Sequence, residues 1–394
     1  MLQPSGIRKH QDAWQNEGLI NFAIGEPDFD TPKHIIEAAV RALHDGCTHY
    51  THNAGVVKLR EKIAEKLLTE NGLNYQPEDI LVTAGSTEAL ALVLLATLDQ
   101  GDEVVLLDPC YPGYAPTVIL AHGVPVPVRT IEDKDWEPDY DSLRAHFTRK
   151  TKAVLVNSPT NPTGTVYSEK TLKEIAEFAK DHNLYVISDE GYEKFLYDNA
   201  RHHSVGSIDG MKDRTFTINS FSKTYAMTGW RIGYVASPKQ TSRELLAIHQ
   251  NLAICAPSLA QYASIEALES PRNCIDSMLK EYCQRRRLVS DALSSMYGFG
   301  ATRPKGTFYA FPSVNVLAKE KGLSIRKYLQ TKESVPVSIS EQISDFLFYK
   351  CNLITVAGSV FGTQGEGHVR IAFTRPQHEL REGLQRIARA VAEL

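Results

Sequence analysis

The stretch "SFSKTYAMTGW" (residues 220–230) sets a lysine, Lys223, among the small hydroxyl residues Ser220, Ser222 and Thr224, and Arg231 follows directly. Lysine ordinarily keeps its ammonium in water. Desolvation and neighbouring cations depress its pKa and leave a nucleophilic amine, which can condense with an aldehyde. Whether this lysine does so depends on what the rest of the chain brings beside it.

Short apolar, β-branched runs surround the stretch: "ILVT" (80–83), "EVVLL" (103–107), "VPVPV" (124–128), "AVLVN" (153–157), "LYVIS" (184–188), "TFTIN" (215–219) and "IGYVA" (232–236). Helical patterns such as 86–98 and 168–182 separate several of them. The alternation predicts an α/β fold, a mostly parallel seven-stranded sheet flanked by helices. "VPVPV" belongs at an edge, because proline cannot donate to a ladder. Residues 31–46 and 57–72 read as helices, the first with Thr31 as cap, Pro32 at the first position and Gly46 as stop. After about residue 285 the texture changes: "GTFYAFP" (306–312), "LITV" (353–356) and "HVRIAFT" (368–374) read as strands and 376–393 as a closing helix. The division expected is a segment 1–45 packing with a small α+β domain at 286–394, and a large domain at 46–285.

Composition narrows the partners. The formal net charge is −4 and Lys/Arg are not clustered, which argues against nucleic-acid or polybasic membrane binding. No apolar run approaches ~18 residues, so no membrane span is expected, and "LALVLLATL" (90–98) reads as a buried helix. "MLQPSGIRKHQDAW" lacks the apolar core of a secretory signal. Six cysteines without CxxC or zinc spacing read as free thiols in a reducing, cytoplasmic setting. No metal is expected: "RHH" (201–203) reads as a solvated loop, and His182 as the exposed end of a helix. No GxGxxG follows a predicted strand, which argues against a dinucleotide oxidoreductase, and "GTQGEG" (362–367) reads as a turn. "KESVPVSISEQ" (332–342) has the composition of a mobile segment.

In open parallel sheets, ligands bind beyond the carboxyl ends of the strands. Five polar segments fall there: "AGSTEAL", "DPCYPGY", "SPTNPTG", "DEGY" and "SFSK". Gly85, Ser86 and Thr87 open a helix whose free N–H groups suit phosphate, though Ser and Thr are also plain caps. Arg231, Ser220 and Ser222 can complete such a cradle, and Arg231 alone would read as a structural ion pair. Asp189 ends an apolar strand, so its carboxylate needs a partner, either a salt bridge or a protonated heterocyclic nitrogen. Tyr192 and Asn161 can donate into the same site, or serve packing and a turn. Tyr111 offers a stacking face, or fills the core. A phosphate cradle, a carboxylate for a ring nitrogen, a stacking face and a reactive lysine are together the needs of pyridoxal phosphate.

With "SFSKTYAMTGWRIGY", "NPTG" and "GEPDF" in place, the chain resembles the class I/II aminotransferases of the fold-type-I pyridoxal-phosphate enzymes, in their microbial aspartate/alanine/aromatic-type subgroup. The likeness runs from "IGEPDF" (24–29) to "HVRIAF" (368–373). It implies Lys223 as the Schiff-base lysine and proton shuttle and Asp189 on the pyridine nitrogen. Asn161 and Tyr192 would bond the phenolic oxygen, and Tyr111 would stack on the ring. Ser86, Thr87, Ser220, Ser222 and Arg231 would hold the phosphate, joined by Tyr50 from the neighbouring subunit of a homodimer. Arg370 would clamp the substrate α-carboxylate beside the Gly25 backbone. The reaction implied is ping-pong transamination between an L-amino acid and a 2-oxo acid. A C–S β-lyase on the same scaffold and a non-catalytic cofactor-binding sensor domain are the rival readings. Ala357-Gly358-Ser359 departs from the Pro-Gly-Ser common in relatives. Thr87 stands where some aspartate-preferring relatives carry lysine, and no second arginine for a side-chain carboxylate is identifiable. Both points weigh against an aspartate preference.

Overall fold

The structure, a computed structural model, describes residues 6–14, 16–332 and 335–394. In chain order its strands are β1 (Ile20–Asn21), β2 (Ile80–Thr83), β3 (Glu103–Asp108), β4 (Val124–Ile131), β5 (Glu137–Pro138), β6 (Thr151–Asn157), β7 (Tyr185–Asp189), β8 (Thr215–Ser220), β9 (Gly233–Ala236), β10 (Tyr309–Ala310), β11 (Leu353–Ile354), β12 (Val356–Ala357) and β13 (Val369–Ala372). The central sheet has eight strands in the order β2-β9-β8-β7-β6-β3-β4-β5. The seven apolar runs all enter it; the eighth member is the two-residue β5, antiparallel to β4 and too short to show as a run. β4, the proline-bearing strand, lies next to that edge. β9 is antiparallel to both β2 and β8, so β2, β3, β6, β7 and β8 all point their carboxyl ends the same way.

Burial explains the sequence pattern. β2, β8 and β9 are buried along their whole length and β6 nearly so, as expected for strands covered on both faces. Helices Ser86–Thr97 and Glu169–Asp181 cover the two faces and contribute Leu92, Val93 and Leu94 to one core and Leu172, Ile175 and Ala176 to another. One expected cap differs. Helix Lys33–His44 starts after Pro32 without a side-chain cap, because the Thr31 hydroxyl donates instead to the Ala226 carbonyl at 2.6 Å and accepts from Trp230 Nε1 at 2.9 Å.

The carboxyl-terminal region builds a smaller sheet, β10-β13-β12, and β1 pairs in parallel with β11. The expected strands at 306–312 and 353–356 shrink to two-residue pieces, since pairing partners exist for only part of each run. Phe22 threads between them: its N–H donates to Ile354 and its carbonyl accepts from Ala372. Ile20 and Phe22 share a core with Phe308, Phe346, Leu380 and Ile387. Helix Asn273–Ser295 runs unbroken through residue 285. Within 332–342, residues 333 and 334 lie outside the described residues, and Ser338 caps helix Ile339–Cys351.

Residues 6–14 are fastened to that helix. Asp345, with no exposed surface, accepts from Lys9 Nζ at 2.7 Å and faces His10 Nε2 at 3.2 Å, while the His10 ring stacks on Phe348 at 4.0 Å. Asp345→Ala is expected to speed tryptic cleavage after Arg8 or Lys9 roughly 10- to 150-fold, the equivalent of about 1.5–3 kcal/mol for hydrogen bonds to a charged group. An unchanged digestion rate would show that Asp345 does not hold the segment.

Candidate active site

The shared polarity of the strands converges on one cleft of about 560 Å³. Residues from all five polar loops line it: Ser86 and Thr87, Tyr111, Asn161, Asp189, and Ser220, Ser222 and Lys223. Gly25, Tyr192, Arg231 and Arg370 line it as well.

One end of the cleft is a helix start. Gly85 caps helix Ser86–Thr97 at φ 94°, ψ 167°, a conformation almost confined to glycine, and no side chain occupies the cap. A Cβ on Gly85 would lie 2.6 Å from Arg231 Nη2, so the guanidinium rests against the bare backbone. Arg231 Nη1 donates to the Thr228 carbonyl at 2.9 Å. Ser220 faces Gly233 across β8 and β9, and the chain between them carries Lys223 out and brings Arg231 back. Ser220 Oγ accepts from the Ser222 N–H at 3.0 Å and caps the short helix Phe221–Thr224. Beneath the helix start, Glu88 accepts from the Ala84 N–H and from the buried His249 Nδ1 at 2.8 Å, which fixes the loop. Free N–H groups, a guanidinium and hydroxyls at one point make an anion site.

The other groups are set by burial. Asp189 accepts from the Tyr114 hydroxyl at 2.8 Å and the Gly191 N–H at 3.2 Å. Burial pushes its carboxyl up, against the pull of the Tyr114 hydrogen bond, so the carboxylate gains from a cation placed beside it. Burial drives Lys223 down to about 8; Glu26 and Asp189 oppose this, and the Arg370 and Arg231 charges reinforce it. Its Nζ donates to the Gly25 carbonyl at 2.6 Å. Near neutral pH more of this amine is unprotonated than of an ordinary lysine.

Arg370 is 1% exposed. Nη1 donates to Asn161 Oδ1 at 3.0 Å and Nη2 to the Ala23 carbonyl, while Nε is buried and has no partner among the described residues. The guanidinium lies 4.4 Å from the Tyr309 ring centre and 4.9 Å from that of Phe361. The Asn161 bond leaves that residue's amide N–H₂ unpaired among the described residues. Tyr192 and Tyr309 share a hydrogen bond of 2.8 Å between hydroxyls, and a Cβ on Gly25 would overlap the Tyr309 hydroxyl. Asp108, at the end of β3, ties the wall together by accepting from Thr363 N–H at 2.9 Å, Thr363 Oγ1 at 2.8 Å and Gln364 N–H at 3.3 Å. The Cys110 N–H donates to the Phe361 carbonyl at 2.8 Å.

Two residues lie apart from where the sequence put them or from the cleft itself. Tyr50 is 78% exposed and lines a separate surface hollow with Cys47, His49 and Tyr262. The "RHH" loop is not wholly solvated, because His202 turns inward and its Nε2 meets Glu190 at 2.9 Å. Glu190, Glu193 and His202 bring ligand atoms within 4.8 Å of one another, but Lys66 ion-pairs with Glu193, and Asn71 and Ser204 donate into the carboxylates. Its carboxylates are thus paired within the protein, although His202 Nδ1 is buried without a partner among the described residues. Sequence reasoning missed Tyr114, Tyr309, Glu26, Arg8 and Trp14, all of which line the cleft. Tyr114 was detectable as the second aromatic of "CYPGY"; the others arrive from distant parts of the chain.

A family model described as "Aminotransferase class I and II" matches residues 17–387. The chain is 42% identical to an aspartate aminotransferase of Pyrococcus abyssi and 40% identical to aromatic-amino-acid aminotransferase 2 of Thermococcus litoralis, each match covering all of this chain and 97% of the relative. Among solved structures it resembles an aromatic aminotransferase from Pyrococcus horikoshii (42% identity, 95% of this chain and 96% of that one, TM-score 0.87). It also resembles a Thermus thermophilus aspartate aminotransferase with maleate (34% identity, 99% and 97%, TM-score 0.89).

Gly85→Ala is expected to cost about 1–3 kcal/mol, since the new Cβ meets both a strained backbone and Arg231. Urea unfolding measures the loss. A stability equal to that of the parent chain would show that the helix start can relax around a side chain.

Proposed function

The chain belongs to the class I and II aminotransferases, and from that premise we propose that Lys223 moves the proton in the reaction, held in place by the residues around it. The protein is a pyridoxal-phosphate-dependent enzyme that transfers an amino group between an L-amino acid and a 2-oxo acid. The C–S lyase and sensor readings gain no support from its relatives.

The cleft fits the cofactor on three counts. Arg231 packs against a backbone that a Cβ would block, at an uncapped helix start suited to a phosphate. Asp189 is a half-buried carboxylate whose one side-chain donor among the described residues is a neutral phenol, which suits a protonated ring nitrogen. Lys223 is a half-buried amine with a depressed pKa. Pyridoxal phosphate supplies, when bound, an aldehyde that condenses with amines and a protonated ring that takes up the electron pair left by a departing α-proton.

The residues then divide the work. Ser86, Thr87, Ser220, Ser222 and Arg231 would hold the phosphate, and Lys223 would tether the cofactor through its amine. Tyr111 would lie against the ring. Asp189 would keep the ring nitrogen protonated. Tyr192, positioned by Tyr309, would bond the ring oxygen together with the unpaired amide of Asn161. Arg370 would take the substrate α-carboxylate beside Gly25; its orphaned Nε supports this reading. Freed by the incoming amine, Lys223 Nζ would accept the α-proton and return it at the neighbouring carbon. The single observation that carries the account is the Lys223 amine, desolvated among Arg370, Arg231 and Asp189 in one cleft.

A homodimer is part of the same proposal. Tyr50 lies outside its own chain's cleft and is exposed together with Val57, Leu252 and Ile254, an apolar array suited to a partner. Six free cysteines support a reducing, cytoplasmic setting, and no helix among the described residues is long and apolar enough to cross a membrane. The division at residues 46 and 286 also stands as a proposal, with Ile20 and Phe22 packing into the carboxyl-terminal core.

Lys223→Ala should lower turnover by at least about 10²–10⁴-fold and abolish the visible absorbance of tethered cofactor; retained turnover would refute the assignment. Light scattering on the purified holoenzyme should give twice the mass of one chain. A monomeric mass with full activity would remove Tyr50 from the site.

A further inference from the structure

Lys223 and Arg370 are both held by the backbone of one short stretch. Arg370 Nη2 donates to the Ala23 carbonyl, and Lys223 Nζ donates to the Gly25 carbonyl at 2.6 Å. Between them the Ile24 carbonyl accepts from Thr374 Oγ1 at 3.1 Å. Gly25 lies so close to the Tyr309 hydroxyl that a Cβ would overlap it. A shift of this backbone is therefore felt at the amine and at the guanidinium together.

What fixes the stretch lies outside the cleft. Asp28 carries the one ion pair of residues 23–30 among the described residues, to Arg285 Nη1 at 2.7 Å. The Arg285 side chain is 5% exposed, and neither partner lines the cleft. Arg285 comes from the middle of helix Asn273–Ser295, and its fork is fully committed. Nε donates to Glu281 at 2.8 Å, and the guanidinium lies 5.3 Å from the ring centres of both Phe29 and Tyr282. The Tyr282 hydroxyl also reaches Asp28 at 3.4 Å. A planar fork held in this way has little freedom left to lose. Pro27 precedes Asp28, and its fixed φ leaves little slack between the ion pair and Gly25.

We propose that Arg285 is a positioning residue for the α-carboxylate subsite: by gripping Asp28 and Phe29 it holds the 23–25 carbonyls against Arg370 and Lys223. Arg370 gives one N–H to Ala23 and one to Asn161, so the direction left for a carboxylate depends on where Ala23 stands. The rings of Tyr309 and Phe361 attract the charge but set no hydrogen-bond direction. In the loaded enzyme Lys223 is tethered and Arg370 is not. Loss of the grip therefore falls on carboxylate binding before it falls on the proton step.

The proposal rests on the aminotransferase reading, and its test separates the two. Pentanoate, a carboxylate without an amine, is titrated into the holoenzyme and followed by the visible absorbance of the tethered cofactor. Asp28→Asn and Arg285→Gln should each weaken pentanoate about 5- to 100-fold, and raise KM for amino acids similarly with kcat nearly unchanged. The two substitutions together should weaken it no more than either alone, because the same contact is lost. Arg285→Lys should regain part of the loss. Asp198→Asn is the control: it breaks the ion pair that the adjacent Arg286 makes at 2.6 Å, and it should leave pentanoate binding as in the parent. A folded Asp28→Asn enzyme that binds pentanoate as the parent does would overturn the proposal, and so would an Asp198→Asn enzyme that loses as much. A parent chain that transfers no amino group would count against the proposed function instead.

Discussion

A carboxylate and an amine half-withdrawn from water set the terms for the rest of this molecule. Asp189 and Lys223 end or follow adjacent strands, β7 and β8, whose flanks are covered by helices. Burial works on the two in opposite senses: it raises the acid and lowers the base, so each is poised to gain from a ligand that brings charge or takes up a proton. The architecture around them serves to keep that environment dry and rigid. The hydroxyl of Tyr114 reaches Asp189 from the helix that follows β3, two strands from β7, and Tyr111 meets Tyr114 edge-on at 5.3 Å.

Behind the site lies a second buried layer of charge. Glu190, next to Asp189, takes hydrogen bonds from Ser188, Ser204 and Asn71 and meets His202. Glu193, paired with Lys66, is held down to about 2, with desolvation opposing the cations that stabilise it. Such a network is expensive to bury unless every member is satisfied. The paired carboxylates hold the turn 190–193, and with it the Tyr192 ring, in place, while His202 Nδ1 stays buried without a partner among the described residues.

Much of this was legible in the sequence because parallel strands carry their own address. Once β2, β3, β6, β7 and β8 are recognised as apolar runs, the polar residues that follow each must meet at one edge. The features that escaped are those decided by distant pairing. β10, β11 and β12 are two residues long, fixed by partners far along the chain and not by any local run. Thr31 gives its hydroxyl to Ala226 because tertiary contact outbid the helix cap. Arg8 and Tyr309 carry no local signature, and only folding brings them to the cleft. His202 lies in a polar triplet that reads as solvated until Glu190 turns up beneath it.

The Asp108 carboxylate fastens the loop at 361–364 to the end of β3. Three donors from residues 363–364 and the Cys110–Phe361 backbone bond act together, and Gly362, at φ 127°, leaves no room for a looser arrangement. Residues 6–14 pack on the same loop: Gly6 abuts Val360, Ile7 and Trp14 join the cluster of Phe311 and Phe361, and Asp345 and the stacked His10 ring moor the segment to the neighbouring helix. A displacement of the amino-terminal segment is therefore felt at Val360 and passes to the loop that Asp108 fastens, so the two move as one wall.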